Sequence, residues 1–289
     1  MEKKIRLVVL GATGMLGNAV LRFFASKANF EVHGTVRDWS SVSELSSLAP
    51  CSKIVPGVDV MSQDSLTRMF ATVQPDVVIN CVGLVKQLAH ANDPLIALPI
   101  NALLPHRLAR LAQVSGARLV QMSTDCVFSG IRGNYVESDL PDANDLYGRS
   151  KLLGEVDYPN AITLRTSIIG HELAGNRSLI DWFLSQTGEV QGYTNAIFSG
   201  LPTVEIARII HERVIPNANL HGLYHVSAEP INKFDLLSLV AKEYGKEINI
   251  RAKDDFVIDR SLNSDRFRAA TGFEPETWAQ LIHRMHEFR

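Results

Sequence analysis

The feature that most constrains this chain is the run Leu7-Val8-Val9-Leu10-Gly11-Ala12-Thr13-Gly14-Met15-Leu16-Gly17, where three glycines follow a short apolar strand and lead into a helical pattern. A buried strand feeding a helix through a glycine turn is the opening of a βαβ unit. Gly11 permits the tight turn, Gly14 lets backbone approach a pyrophosphate, and Gly17 lets the helix pack against the sheet. The helix N-terminus adds N–H donors and the positive end of its dipole. The spacing is Gly-x-x-Gly-x-x-Gly, and its placement between first strand and first helix favours a dinucleotide site over a plain structural turn.

The same rhythm continues. Ile5–Leu10, Glu31–Val36, Lys53–Val55, Val77–Asn80, Arg118–Met122 and Ala161–Thr166 read as strands. Met15–Ser26, Ser62–Val73, Asn101–Val114 and Tyr147–Val156 carry apolar residues at helical spacing between them. Short apolar strands alternating with helices predict an α/β fold, a doubly wound parallel (Rossmann) sheet whose ligand crevice lies at the carboxyl ends of the strands. After about Ile168 the segments shorten. His171–Arg177 and Val190–Leu201 read as loops, and helical patterns return at Val204–Val214 and Ile231–Tyr244. The expected organisation is a nucleotide-binding domain over residues 1–168 that also carries the catalytic residues. Residues 169–289 are then mainly a smaller C-terminal substrate-binding lobe, interleaved with late sheet strands.

At the end of the second strand stands Thr35-Val36-Arg37-Asp38, where NAD-specific enzymes usually place an acid for the ribose diol. Arg37 can pair with a 2′-phosphate and stack on adenine, which favours NADPH over NADH. The competing reading is a solvated Arg37–Asp38 pair. Asp59, with Val60, is placed either to accept a bond from the adenine amine or to cap the following helix.

Tyr147-Gly148-Arg149-Ser150-Lys151 sets Tyr and Lys one helical turn apart, after a strand that ends in Ser123-Thr124-Asp125. A tyrosine hydroxyl has a free pKa of about 10, and a neighbouring ammonium lowers it by roughly one to three units. Tyr147 then becomes a competent general acid, with Thr124 offering a hydroxyl to orient a carbonyl. Together they read as a hydride-transfer site with its own proton donor.

Met122-Ser123-Thr124-Asp125-Cys126-Val127-Phe128-Ser129-Gly130, Gly133-Asn134-Tyr135-Val136-Glu137 and Tyr147-Gly148-Arg149-Ser150-Lys151-Leu152-Leu153-Gly154-Glu155 resemble the dTDP-4-dehydrorhamnose reductases, a branch of the extended short-chain dehydrogenases. Asn80-Cys81-Val82-Gly83, Asn101, Leu164-Arg165-Thr166-Ser167 and Gly200-Leu201-Pro202-Thr203 add to the match, which is dense from Val8 to about Gly170 and thin afterwards. The resemblance implies that Thr124, Tyr147 and Lys151 are catalytic. Tyr147 would protonate the sugar C4 oxyanion, and Lys151 would hold the nicotinamide ribose. Backbone at Gly11, Thr13, Gly14, Met15 and Leu16 would wrap the pyrophosphate, with Cys81, Val82 and Gly83 lining the cofactor. Thr124, Asp125, Val127 and Phe128 would meet the substrate. Arg260 would meet its diphosphate, and Trp182 would either stack on it or fill the core. The implied reaction is NADPH-dependent reduction of a nucleotide-linked 4-keto-6-deoxy sugar, for surface polysaccharide synthesis.

Cys126 departs from the family, which usually has Tyr there. The 4,6-dehydratases need Glu at that position, so dehydration is disfavoured. Two rivals remain: an epimerase that retains its nicotinamide nucleotide, and a non-catalytic partner similar to the regulatory β subunit of methionine adenosyltransferase. A formal charge of -2 with no basic block argues against a nucleic-acid partner. Cys51, Cys81 and Cys126 show no metal-ligand spacing. The charged Met1-Glu2-Lys3-Lys4 is followed by an apolar run too short for a signal peptide or membrane span, so a cytoplasmic protein is expected. Dimers are frequent in this class, which leaves a homodimer open; no interface is legible.

Overall fold

The computed structural model describes residues 3–84 and 92–289. Met1 and Glu2, part of the charged N-terminal reading, lie outside the described residues.

β1 (Ile5–Leu10) runs into α1 (Met15–Ala25), followed by β2 (Phe30–Thr35), α2 (Val42–Leu48), β3 (Lys53–Val55), α3 (Gln63–Val73) and β4 (Val77–Asn80). Then come α4 (Pro94–Ala97), a π-helical turn (Leu98–Leu103), α5 (Leu104–Ser115), β5 (Arg118–Thr124), α6 (Leu146–Leu153) and β6 (Ala161–Thr166). The second half holds β7 (Ile168–Ile169), α7 (Leu179–Ser185), β8 (Glu189–Tyr193), β9 (Ala196–Phe198), β10 (Leu201–Pro202) and α8 (Thr203–Ile209). It closes with β11 (Gly222–His225), β12 (Ile231–Asn232), α9 (Lys233–Glu243), β13 (Asn249–Lys253), β14 (Ile258–Asp259), α10 (Asp265–Thr271) and α11 (Trp278–Glu287).

The main sheet has seven strands in the order β11-β6-β5-β4-β1-β2-β3, and the ladders from β3 to β5 are parallel. Strand order reverses at β1, between β4 and β2. A crevice therefore opens beyond the carboxyl ends of β1 and β4. Leu7, Val8, Val9 and Leu10 are fully buried, as a strand covered on both faces requires. Val8, Leu10 and Val78 pack with Leu66, Phe70, Leu104 and Leu108 of the flanking helices. The remaining strands form three small sheets: β10-β7, β12-β9-β14 and β13-β8.

The chain forms two compact units that alternate along the sequence. The first takes the residues through Ser123, then Asn144–Leu164 and Ala218–Leu223; the second takes Thr124–Ala143, Arg165–Asn217 and Tyr224–Arg289. The second has its own core, with Ile180, Phe183, Val190, Phe198, Leu236, Leu237, Val240 and Ile282.

Several segments differ from the sequence expectation. Val190–Leu201 is not a loop: Glu189–Tyr193 pairs in parallel with Asn249–Lys253, and Ala196–Phe198 is flanked by β12 and β14. Its partners lie dozens of residues away, so local composition, rich in Gly, Asn and Thr, conceals the pairing. The helix expected from Asn101 begins at Leu104, and Asn101 sits in the preceding π turn. Pro105 lacks the N–H that would bond the Asn101 carbonyl, which explains the break. Ile231 and Asn232 form a strand before α9, and Asn232 caps that helix by accepting the Asp235 N–H.

Candidate active site

In the first unit, the Gly11–Gly14 turn sits at the sheet's switch point. Gly11 has φ +78°, a conformation that a side chain resists. A Cβ on Gly17 would come within 2.0 Å of the Gly11 carbonyl oxygen, so the first turn of α1 rests directly on the loop. Gly14 is the N-cap of α1. It offers no side-chain cap, and the first turn carries no acid. The N-cap and first turn of α1 thus supply no side-chain acceptor for the opening N–H groups at an electropositive helix end, which fits an anion.

One strand over, Arg37 is highly exposed and lies 3.6 Å from the Asp38 carboxylate. That geometry matches the solvated pair, and a pair so exposed is weak enough to be exchanged for a ligand. Asp59 does not cap α3. Its carboxylate accepts the Met61 N–H, while Ser62 takes the Ser65 N–H as the cap. Val60 packs against the core of the first unit.

Beyond β4, Asn80 donates to Gln121 at 2.7 Å and accepts the Val82 N–H at 3.1 Å, shaping the turn at Cys81. Asn101 then pins the loop. Its side-chain oxygen accepts the Leu84 N–H at 2.9 Å, and its amide donates to the Leu84 carbonyl and to Ser150 Oγ, both at 3.1 Å. The π turn that breaks the helix therefore ties the β4 loop to α6. Gly83 lies against Lys151: a Cβ there would stand 3.8 Å from the ammonium.

α6 starts at its N-cap Asp145, whose carboxylate accepts the Gly148 N–H at 2.7 Å. Tyr147 follows in the first turn, with Lys151 one turn further on. Lys151 is buried and donates to the Met122 carbonyl at 2.7 Å. Loss of water pushes its pKa down to about 8, opposed by Glu155 and Cys81. It remains mostly a cation at neutral pH. Burial pushes the Cys81 thiol up to about 12, against the pull of Lys151, so Cys81 is an inert neighbour and not a nucleophile. Ser123 donates to Glu155 at 2.6 Å and fixes the end of β5 to the residue after α6.

The second unit begins with Thr124, the last residue of β5. Thr124 accepts the Cys126 N–H and donates to Asp125 Oδ1, both at 3.1 Å. Burial raises the Asp125 pKa, while hydrogen bonds from Cys126 and Thr124 and the charges of Arg260 and Lys233 work to lower it. Val127 and Phe128 are fully buried, and Phe128 stacks on Tyr135 with centroids 4.1 Å apart. Contact from these two with a ligand therefore goes through backbone. Arg260 donates through Nε to the Phe128 carbonyl at 2.8 Å. Trp182, on α7, is partly exposed. No group of three or more His, Cys, Asp or Glu among the described residues could hold a metal.

Within the first unit the structure brings together Lys151, the Cys81–Gly83 loop, Asn101, Ser150 and the end of β5. Within the second it brings together Thr124, Asp125, Phe128 and Arg260. Sequence reasoning noted Asn101 only as a helix opener and left out Ser150 and Lys233. Their signal lies in contacts between distant segments, which spacing does not carry.

A glycine turn at the switch point of a 3-2-1-4-5 sheet, with a Tyr-x-x-x-Lys helix fastened to the fifth strand, defines an extended short-chain dehydrogenase/reductase. The model of the RmlD substrate binding domain matches residues 5–287, and the chain belongs to that family. It is similar to the methionine adenosyltransferase 2 subunit beta of Danio rerio, 26% identical over 83% of this chain and 74% of that protein. Against the Bos taurus counterpart the chain spans 41% of that protein's length. It is also similar to the dTDP-4-dehydrorhamnose reductase of Aggregatibacter actinomycetemcomitans, 22% identical over 98% and 99% of the two chains. The crystal structure of dTDP-4-dehydrorhamnose reductase from Bacillus anthracis in complex with NADP shares the fold, with TM-score 0.81, 19% identity and coverage of 99% and 100%. No helix among the described residues is long and apolar enough to cross a membrane.

Proposed function

We propose that this chain is an NADPH-dependent reductase of the 4-keto group of a nucleotide-linked 4-keto-6-deoxy sugar, serving surface polysaccharide synthesis in the cytoplasm. The observation that carries the reading is Lys151: a buried ammonium fastened to the Met122 carbonyl, one turn from Tyr147 and against the Gly83 backbone. Burying an ammonium is costly, and a place one helical turn from Tyr147 supplies a reason to keep it.

The residues divide the work. The uncapped start of α1 and the Gly11–Gly14 turn receive the cofactor's pyrophosphate, and Arg37 reaches the 2′-phosphate. Bound NADPH supplies a hydride to the carbonyl carbon. Tyr147 gives its proton to the carbonyl oxygen, and the Lys151 cation stabilises the phenolate left behind. Thr124 is assigned as the third catalytic residue on family resemblance. Its hydroxyl proton, which rests on Asp125, must turn to reach a carbonyl oxygen.

Turnover of NADPH with dTDP- and UDP-linked 4-keto-6-deoxy sugars tests the reading. Tyr147→Phe should lower turnover by at least about a hundredfold while leaving NADPH affinity within about twofold, because it removes a proton donor used only in the transition state. Equal loss of cofactor binding would contradict that role.

A second reading, a non-catalytic partner subunit, is favoured by the similarity to the Danio rerio β subunit. It predicts nucleotide binding with no turnover of any keto sugar.

A further inference from the structure

The β12-β9-β14 sheet of the second unit gathers two cations that the site described above uses only in part. β12 is antiparallel to β9, with Asn232 opposite Ile197, and β14 is parallel to β9, with Asp259 opposite the same residue. Lys233 follows β12 and Arg260 follows β14, so the two side chains leave the sheet on either side of β9. Lys233 lies over the Phe198 ring, with its ammonium 4.1 Å from the centroid. Among the described residues it makes no hydrogen bond and no ion pair. The residue keeps partial contact with solvent, but protein encloses the ammonium. Loss of water pushes its pKa down to about 8, with Asp125 and Cys126 pulling the other way.

Three N–H donors held in protein without an acceptor are a cost to the fold. A ring face offsets part of it, and a methionine of similar length would carry none of it. Arg260 is the second cation. Its Nε donates to the Phe128 carbonyl at 2.8 Å, its Nη1 stands 3.8 Å from Cys126 Sγ, and its charge acts on Asp125. Two cations therefore flank the Asp125–Phe128 turn, which holds one carboxylate. Lys233 retains all of its donors among the described residues.

We propose that Lys233 is a substrate-recognition residue that, beside Arg260, donates to an anionic oxygen of the bound sugar nucleotide. That oxygen belongs to the diphosphate. Naming the ligand as a sugar nucleotide rests on the reductase reading. The subsite itself is measured by binding alone, and absence of NADPH turnover would count against that reading without touching this one.

Calorimetric titration of the full chain with UDP, dTDP, UDP-glucose and UDP-glucuronate tests it in wild type, Lys233→Met and Lys233→Arg. Lys233→Met should weaken binding of UDP, dTDP and UDP-glucose by about tenfold or more, and Lys233→Arg should restore most of it. Losses with UDP, dTDP and UDP-glucose alike assign the oxygen to the diphosphate; a loss confined to UDP-glucuronate would overturn that assignment, because a 6-deoxy sugar carries no such carboxylate. Lys233→Met should also melt at or above the wild-type temperature, since it removes an enclosed charge without a hydrogen bond. Affinities unchanged in Lys233→Met, or a wild-type chain that binds none of the four probes, would overturn the proposal. A lowered melting temperature with intact binding would do the same, by making the ammonium structural.

Discussion

Lys151 and Arg37 mark two ways in which one residue is set for its partner. Lys151 is locked: buried, bonded to Met122 and stripped of water, it is pushed towards losing its charge, and the Glu155 carboxylate opposes that loss. Arg37 is loose, exposed, and 3.6 Å from Asp38. A loose cation gives up little by changing partners, and on the proposed reading its new partner is the 2′-phosphate of NADPH. Arg37→Ala should therefore weaken NADPH relative to NADH by about 1.5 kcal/mol, the low end for a charged hydrogen bond because the site is wet. Fluorescence titration with both cofactors measures this, and an unchanged affinity ratio would leave Arg37 a surface charge. The residues that the sequence marks well are those whose role is local. Gly11 needs its positive φ, and Tyr147 and Lys151 need one helical turn between them. Lys233 was not legible, because what makes it unusual is the ring of Phe198, thirty-five positions earlier, and the distant turn at Asp125.

At the scale of elements, legibility follows the range of the contacts that create each one. β1, β3, β4 and β6 carry the boundaries expected of them; for β4 and most of β1 the reason is that a strand buried on both faces is a run of apolar residues whatever its neighbours. β8 and β9 alternate buried and exposed positions within a stretch of turn-forming residues, and only pairing with β13, β12 and β14 makes them strands. The π turn at Leu98–Leu103 was hidden for a different reason. Its apolar spacing is helical, and only the missing N–H of Pro105 breaks it. That break has a use: it leaves Asn101 free to hold Leu84 and Ser150 together, and a Cβ on Gly154 would strike the Asn101 carbonyl at 1.9 Å. A helix defect, a glycine and an amide thus form one fastening between the β4 loop and α6.

Across the whole molecule, the parallel sheet and its switch point were readable, and the alternation of two compact units along the chain was only partly so. Residues from after α8 return to each unit, and β11 lies at the sheet edge next to β6 although more than fifty residues separate them. The second unit contains a test of how the chain responds to acid. His225 is fully buried: its Nδ1–H donates to the Tyr135 carbonyl at 3.0 Å, and its Nε2 accepts from Arg165 at 3.1 Å. Protonating Nε2 would set two donors against each other beside a guanidinium. Burial and Arg165 accordingly push the His225 pKa down to about 4 from an ordinary value of 6.5. Between those values the unfolded chain binds the proton and the folded chain does not. Stability is therefore full above pH 6.5 and falls as pH drops towards 4, by up to about 3 kcal/mol. Urea midpoints from pH 7 to 4.5 should fall less steeply in His225→Gln than in wild type. Parallel slopes would remove His225 from the acid response.

The central claim is that this chain moves hydride from a nicotinamide to a sugar carbonyl carbon. Mass analysis of the sugar formed from a 4-keto-6-deoxy sugar nucleotide and NADPH deuterated at the transferable position tests it most directly. The account predicts one deuterium at C4 for each NADPH consumed, with labelled sugar formed at least about a hundredfold more slowly by Tyr147→Phe. Interconversion of 4-hydroxy sugar nucleotide epimers without net cofactor consumption, or tight NADPH binding with no labelled sugar from any keto sugar, would contradict it.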